Sequence, residues 1–226
     1  MKNRNFSTLS ALRAGWQLSK QNWQPILLAV IATISIQVVA SLTETYEHLL
    51  SIPAYFGMNT LLYAASFIVS VGLLKLALKI IDEKKVKPLD LFDIGGVWFR
   101  YLVASAAYLS LVVAGTILFI VPGVIAALRF SQYGYLVIEK NLKADEALRE
   151  SWIMTRGHTG DLLFFFIIIG LLNLYGILTI VGVIVTIPIA ALAGAHIYRQ
   201  LGAASEPAET TGPAQISQAD LVPNAA

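Results

Sequence analysis

YLVASAAYLSLVVAGTILFIVPGVIAALRFSQYGYLVI, residues 101–138, is one apolar stretch interrupted only by Val-Pro-Gly at 121–123 and by Arg129. As a single helix it would be roughly 57 Å long at 1.5 Å per residue. The hydrocarbon core of a bilayer is only ~30 Å thick. The stretch is too long for one crossing, so the Pro-Gly pair is read as a turn between two crossings, 101–121 and 123–138. The same arithmetic divides 162–198, which turns near Val181-Gly182 into crossings at about 162–180 and 183–199. Two earlier apolar runs, about 26–42 and 61–81, complete the set. The expected fold is an all-α, polytopic transmembrane helical bundle over residues 1–201, with six spans arranged as three hairpins and with interfacial amphipathic helices. The tail, 202–226, is rich in Ala, Gly, Pro, Thr and Ser and reads as disordered and cytoplasmic.

Composition agrees with this. The chain has 226 residues, of which 57% are hydrophobic and 13% charged, and its mean hydropathy is +0.70. An ordinary soluble domain is about a quarter charged. The net charge of +2 gives no sign of a nucleic-acid partner. The basic residues are interleaved with acids near helix ends, which suits anionic lipid headgroups. With no cysteine, disulfides, thiolate catalysis and thiolate metal sites are excluded. The first apolar run starts near Ile26 with no small-residue cleavage site behind a short apolar region, so span 1 is expected to serve as its own uncleaved insertion signal.

The 16 Lys and Arg can all be placed on one side of the membrane. Loop 43–56 carries Glu44, Glu47 and His48 but no Lys or Arg, whereas DEKKVK at 82–87 and the segment 139–158 are basic. Cytoplasmic loops carry such an excess. This puts both termini inside and Glu47 outside. Span 4 is short and charged, yet without it Lys140, Lys143, Arg149 and Arg156 would fall outside. Only Arg129 and Lys75 lie at depth. All four tryptophans then sit at the inner interface, Trp16 and Trp23 before span 1, Trp98 before span 3 and Trp152 before span 5.

Residues 6–20 read as an amphipathic helix for the interface plane. Leu9, Leu12 and Trp16 share one face, away from Ser10, Arg13, Gln17 and Lys20. SALRAGWQLSK at 10–20 aligns without gaps to EALRESWIMTR at 146–156, with Ala-Leu-Arg and Trp identical. LDLFDIGGVWFRYL at 89–102 is a looser third copy. Internal duplication and chance likeness between amphipathic helices both remain open as the cause.

Arg129 is the sharpest single residue. A central arginine costs about 2.5–3.5 kcal/mol on insertion scales and usually faces the bundle or a water-filled cavity. One reading is a contact with an anion or a lipid headgroup. The other, preferred on chemical grounds, is structural: a pair with Glu139 or Asp161, or snorkelling from a tilted helix. Lys75 and Lys79 lie one turn apart near the inner end of span 2 and can snorkel, with a transport role as the alternative. Gln37 and Asn173 are expected to hydrogen-bond between helices. Ala106, Ser110 and Ala114 on span 3, and Ala190 and Gly194 on span 6, are expected to mark close helix packing, within the chain or in a dimer. His48, His158 and His196 lack ligand spacing, and neither a phosphate-binding loop nor a nucleophile elbow is present. Asp145, Glu146 and Glu150 are explained as charges near a helix start. No catalytic residue and no cofactor are expected.

PGVIAALRFSQYGYLVIEKNLKADEALRESWIMTRG, residues 122–157, carries Pro-Gly, then Arg, then Glu, then Ala-Leu-x-x-Ser-Trp-x-x-Thr-x-Gly. The pattern falls on Pro122, Gly123, Arg129, Glu139, Ala147, Leu148, Arg149, Ser151, Trp152, Thr155 and Gly157. It resembles the membrane domain associated with glycerophosphoryl diester phosphodiesterases, and uncharacterised bacterial inner-membrane proteins of the YciC type. The resemblance implies a multi-pass bacterial inner-membrane protein. In the phosphodiesterases catalysis belongs to a separate soluble barrel, and that barrel has no counterpart in these residues, so no enzyme activity carries over. The expected role is structural or accessory to membrane or lipid homeostasis, with membrane lipids and either a membrane protein or a second copy as partners. A transporter or lipid-handling protein for an anionic solute or lipid is the alternative.

Overall fold

The computed structural model describes residues 8–205 except 85, 94 and 180, with side chains other than those at 175, 177–185 and 205. The chain is all-helical, with no strand among the described residues. Among the described residues four segments are long and apolar enough to cross a membrane: Trp23–Thr45, Ile52–Ile81, Pro88–Leu118 and Ile120–Lys140. A fifth is obtained when Ala144–Met154 and Thr159–Leu174, bent by 102° at their break, are taken as one.

The first hairpin is α2 (Trp23–Thr45) and α3 (Ile52–Ile81), which pack on one another. At 23 residues α2 is about 34 Å long, enough for a crossing. Pro25 sits in its first turn, where the missing N–H has no helical partner to lose. Polar side chains in these apolar helices bond to their own backbone: Thr33 and Thr43 hydroxyls donate to the carbonyls of Ala29 (2.8 Å) and Val39 (2.9 Å). The expected loop 43–56 is shorter than the sequence implied. The helices extend to Thr45 and from Ile52, leaving one 3-10 turn at Glu47–Leu49 between them.

After α3 the chain folds back along it. A 3-10 turn at Pro88–Leu91 presses so close that a Cβ added at Gly72 would meet the Leu91 carbonyl oxygen at 1.7 Å. The second hairpin, α4 (Trp98–Leu118) and α5 (Ile120–Arg129), turns at Phe119, whose extended φ of −163° separates the helices. The turn therefore precedes Val-Pro-Gly. Pro122 lies in the first turn of α5, again where its missing donor is harmless. Gly123 serves packing instead of turning, because an added Cβ would sit 2.8 Å from the Thr116 Cα. The expected fourth span falls within the candidate crossing Ile120–Lys140, which a turn over 130–132 divides into α5 and α6 (Tyr133–Lys140). Asn141 closes α6 in the left-handed conformation (φ 52°), a role asparagine tolerates better than most residues.

The third unit is α7 (Ala144–Met154), α8 (Thr159–Thr179) and α9 (Val181–Ser205). Gly157, with φ +89°, permits the sharp bend into α8. α8 ends at Thr179 and α9 begins at Val181, beside the turn expected near Val181-Gly182. α9 is the hub of the bundle, packing on α1 (Thr8–Gln21), α2, α3, α7 and α8 and burying Leu192, Ala193, Ala195, Ile197, Tyr198 and Leu201. It continues to Ser205, so 202–205 are helical, and the remainder of the expected tail, 206–226, lies outside the described residues. So do the side chains of the first part of the expected sixth span.

α1 docks on α9 by small residues. Its buried positions are Thr8, Ala11 and Gly15. A Cβ added at Gly15 would meet the Ile189 carbonyl oxygen at 2.9 Å, so only glycine allows this approach. Leu9 and Trp16, from the face read as apolar, remain 60% and 43% exposed. The stripe Ala106, Ser110 and Ala114 likewise points outward, away from α5. The α4–α5 seam runs instead through Gly115 and Gly123, an added Cβ at Gly115 lying 3.0 Å from the Gly123 Cα. On α9, Gly194 does mark a close contact, with the Tyr135 hydroxyl.

Candidate functional site at the broken helix

Breaking a helix frees backbone groups, and away from water each unsatisfied group costs several kcal/mol. At the α5–α6 break those groups are met by α7. The Ser151 hydroxyl donates to the Arg129 carbonyl at 2.9 Å, and its oxygen accepts the Gln132 N–H at 3.2 Å. The Thr155 hydroxyl also reaches the Arg129 carbonyl, at 3.0 Å, and the Ser151 carbonyl at 2.8 Å. Residues four apart share a helix face, so Ser-x-x-x-Thr presents two hydroxyls to one break. Both side chains are fully buried, beside buried Ala147 and Leu148. This gives the Ala-Leu-x-x-Ser-Trp-x-x-Thr pattern a structural reason.

The intervening Trp152 faces the other way. Its ring lies 5.2 Å from the Phe130 ring and 4.4 Å below the Arg129 guanidinium carbon. Arg129 therefore has a cation–π partner, worth about 0.5–1 kcal/mol when exposed and more when desolvated. It has no carboxylate partner among the described residues, and its Nε is buried without a hydrogen bond. The expected pairing with Glu139 or Asp161 is not found, because both acids are engaged elsewhere. Asp161 faces His158 at 3.4 Å. Glu139 accepts from Arg199 at 2.5 Å, and the same guanidinium reaches Asp82 at 2.8 Å.

That Arg199 cluster was missed in the sequence reading. It joins the ends of α3, α6 and α9, with the Tyr198 ring stacked on Tyr135 at 5.3 Å. The signal was present, since Asp82, Glu139 and Arg199 each stand at or near the end of an apolar run. A tyrosine cluster between α4 and α6 was also missed. Tyr108 stacks on Tyr133 at 4.9 Å, and the Tyr133 and Ser105 hydroxyls bond at 3.0 Å.

The other candidates are placed as follows. Lys75 Nζ donates to the Asp93 carbonyl at 2.7 Å and carboxylate at 2.9 Å, and Lys79 pairs with Asp90 at 3.2 Å. Both lysines fasten Asp90 and Asp93, in the segment that follows α3, to that helix. Arg149 is exposed on α7. Pro122 and Gly123 belong to the α4–α5 seam, one helix length from Arg129. Asn173 bonds to the Ile169 carbonyl of its own helix at 3.0 Å instead of crossing to another. Gln37 is exposed and lines a cavity of about 380 Å³ with Thr33, Ile34 and Ile187. A second cavity of about 600 Å³ lies between α3 and α4, lined by Tyr63, Phe67, Ile68, Trp98 and Leu102. Neither cavity reaches Arg129. No group of three or more His, Asp or Glu that could hold a metal occurs among the described residues.

The arrangement offers a fixed positive charge on an aromatic platform and a sealed helix break. In comparisons with known proteins, no family model, curated protein or solved structure matches the chain.

Proposed function

We propose that this chain is a six-span bacterial inner-membrane protein, both termini cytoplasmic, with a structural or accessory role in membrane or lipid homeostasis and no catalysis of its own. The observation that carries the reading is the sealed break in the fourth crossing. A broken helix that lines a transport path leaves its freed backbone groups facing a cavity. Here Ser151 and Thr155 of α7 occupy that place, and the break becomes a packing joint. The resemblance of residues 122–157 to membrane domains that accompany lipid-related enzymes supports the same direction.

The second reading is transport of an anionic solute or lipid past Arg129, favoured by that residue's lack of a carboxylate. Two variants separate the readings in reconstituted vesicles. In the accessory role Arg129→Leu lowers folding yield, and Arg129→Lys restores it with no change in the flux of any anion. Loss of flux in a well-folded Arg129→Lys protein would favour transport, since lysine cannot reproduce bidentate guanidinium geometry.

A further inference from the structure

On α7, residues 149, 152 and 156 recur at the spacing of one helix face, the last just past Met154. That face is opposite the buried Ala147, Ser151 and Thr155. It bears the exposed Arg149 and Arg156 on either side of Trp152, which is 40% exposed. Arg129 reaches over the same ring from α5. None of the three arginines has an ion pair among the described residues. The neighbouring acids are already used: Glu150 by Lys140, Glu139 by Arg199, Asp161 by His158, and Glu146 by the Lys143 backbone N–H. Asp145, one turn ahead of Arg149, is the acid left on this face.

We propose that Arg129, Arg149 and Arg156, arranged around Trp152, bind the phosphate of an anionic phospholipid headgroup. Guanidinium is the side chain suited to phosphate oxygens, through forked N–H donors. Tryptophan is the side chain suited to headgroup depth. The 102° bend between α7 and α8 lays α7 across the direction of the following helix, the posture of an interfacial helix. Exposed Ile153 beside Trp152 offers the apolar contact that a headgroup's glycerol and upper acyl chain would meet. α1 repeats the device on a smaller scale, with Lys20 Nζ 4.4 Å over the Trp16 ring.

The inference rests on the membrane reading above, but its test is independent of topology. Full-length protein in mild detergent is titrated with phosphatidylglycerol, phosphatidylcholine or inorganic phosphate, and bound lipid is counted by native mass spectrometry. Phosphatidylglycerol is expected to bind in preference to phosphatidylcholine, and inorganic phosphate at equal concentration is expected not to displace it. Because Arg129 variants can fail to fold, the decisive protein is Arg149→Gln/Arg156→Gln, altered only at exposed positions. Its phosphatidylglycerol affinity is expected to fall about tenfold, the scale of one charge-assisted hydrogen bond. Lys84→Gln/Lys87→Gln, which removes the same charge elsewhere, is expected to bind as the parent does. Equal binding of the two lipids, displacement by inorganic phosphate, or equal losses in the two double variants would overturn the proposal. A negative result here leaves the crossing number to the labelling experiment.

Discussion

At the α5–α6 break Ser151 carries more than Thr155, although both hydroxyls reach one carbonyl. A hydroxyl has one proton to donate. Thr155 shares its proton between the Ser151 carbonyl at 2.8 Å and the Arg129 carbonyl at 3.0 Å, while Ser151 gives its own to Arg129 and also accepts the Gln132 N–H. Ser151→Ala is therefore expected to cost about 1–3 kcal/mol, the penalty for leaving a buried polar group unpaired. Thr155→Val, which keeps volume and leaves Ser151 in place, should cost less. Thermal unfolding of the two variants in detergent compares them directly, and a larger loss for Thr155→Val would reverse the assignment. Arg129 shows where residue-scale reading stops. Its position at depth and its need for a partner are legible from the stretch 101–138. Which partner is not, because Arg199, sixty residues beyond Glu139, takes that carboxylate.

The α4–α5 hairpin was legible as an element because its length exceeds one crossing, and length is a property of sequence alone. The location of the turn was less so. Pro-Gly is a common turn signal, but Pro is equally at home in the first turn of a helix and Gly where two backbones touch. Here the second pair of roles holds, and the chain turns at Phe119. The small-residue stripe Ala106, Ser110 and Ala114 is exposed in this chain, which leaves packing in a dimer as its expected use, while within the hairpin the facing glycine decides which face of α4 packs. Gly123→Ala tests this. Its Cβ would meet the Thr116 backbone, and overpacking of that kind costs about 1–3 kcal/mol. Gly57, also helical, has nothing within 4 Å of an added Cβ, so Gly57→Ala is expected to be neutral or stabilising by about 0.5–1 kcal/mol. The melting temperature of Gly123→Ala should fall below the parent's, and that of Gly57→Ala should equal or exceed it. If Gly123→Ala unfolds no earlier than the parent, the glycine seam is not what joins the hairpin.

For the whole molecule the question is how many times the chain crosses, and the long-range polar contacts bear on it. Arg199 near the end of α9 pairs with Asp82 just after α3 and with Glu139 near the end of α6. Arg100 at the start of α4 donates to the Asn141 carbonyl at the end of α6. Lys75 and Lys79 hold the segment between α3 and α4 beside the last turns of α3. Those contacts gather the ends of α3, α6 and α9 with the start of α4 at one end of the bundle. In the proposed arrangement the charge asymmetry of the loops assigns the same ends to the cytoplasmic side, and an even number of crossings is then expected between Asp82 and Arg199. The six-span proposal takes four between them, with α2 and α3 before. Because the chain has no cysteine, each introduced one is the sole target of a membrane-impermeant maleimide. Glu47→Cys is expected to react in intact cells. Lys84→Cys, Asp145→Cys and Ala204→Cys are expected to react only after permeabilisation. Labelling of Ala204→Cys from outside, with Lys84→Cys protected, would put the two sides of the Arg199–Asp82 pair across the membrane from each other. That result defeats the six-span arrangement and the ion-pair cluster together, whereas protection of Glu47→Cys defeats the assignment of sides and leaves the cluster intact.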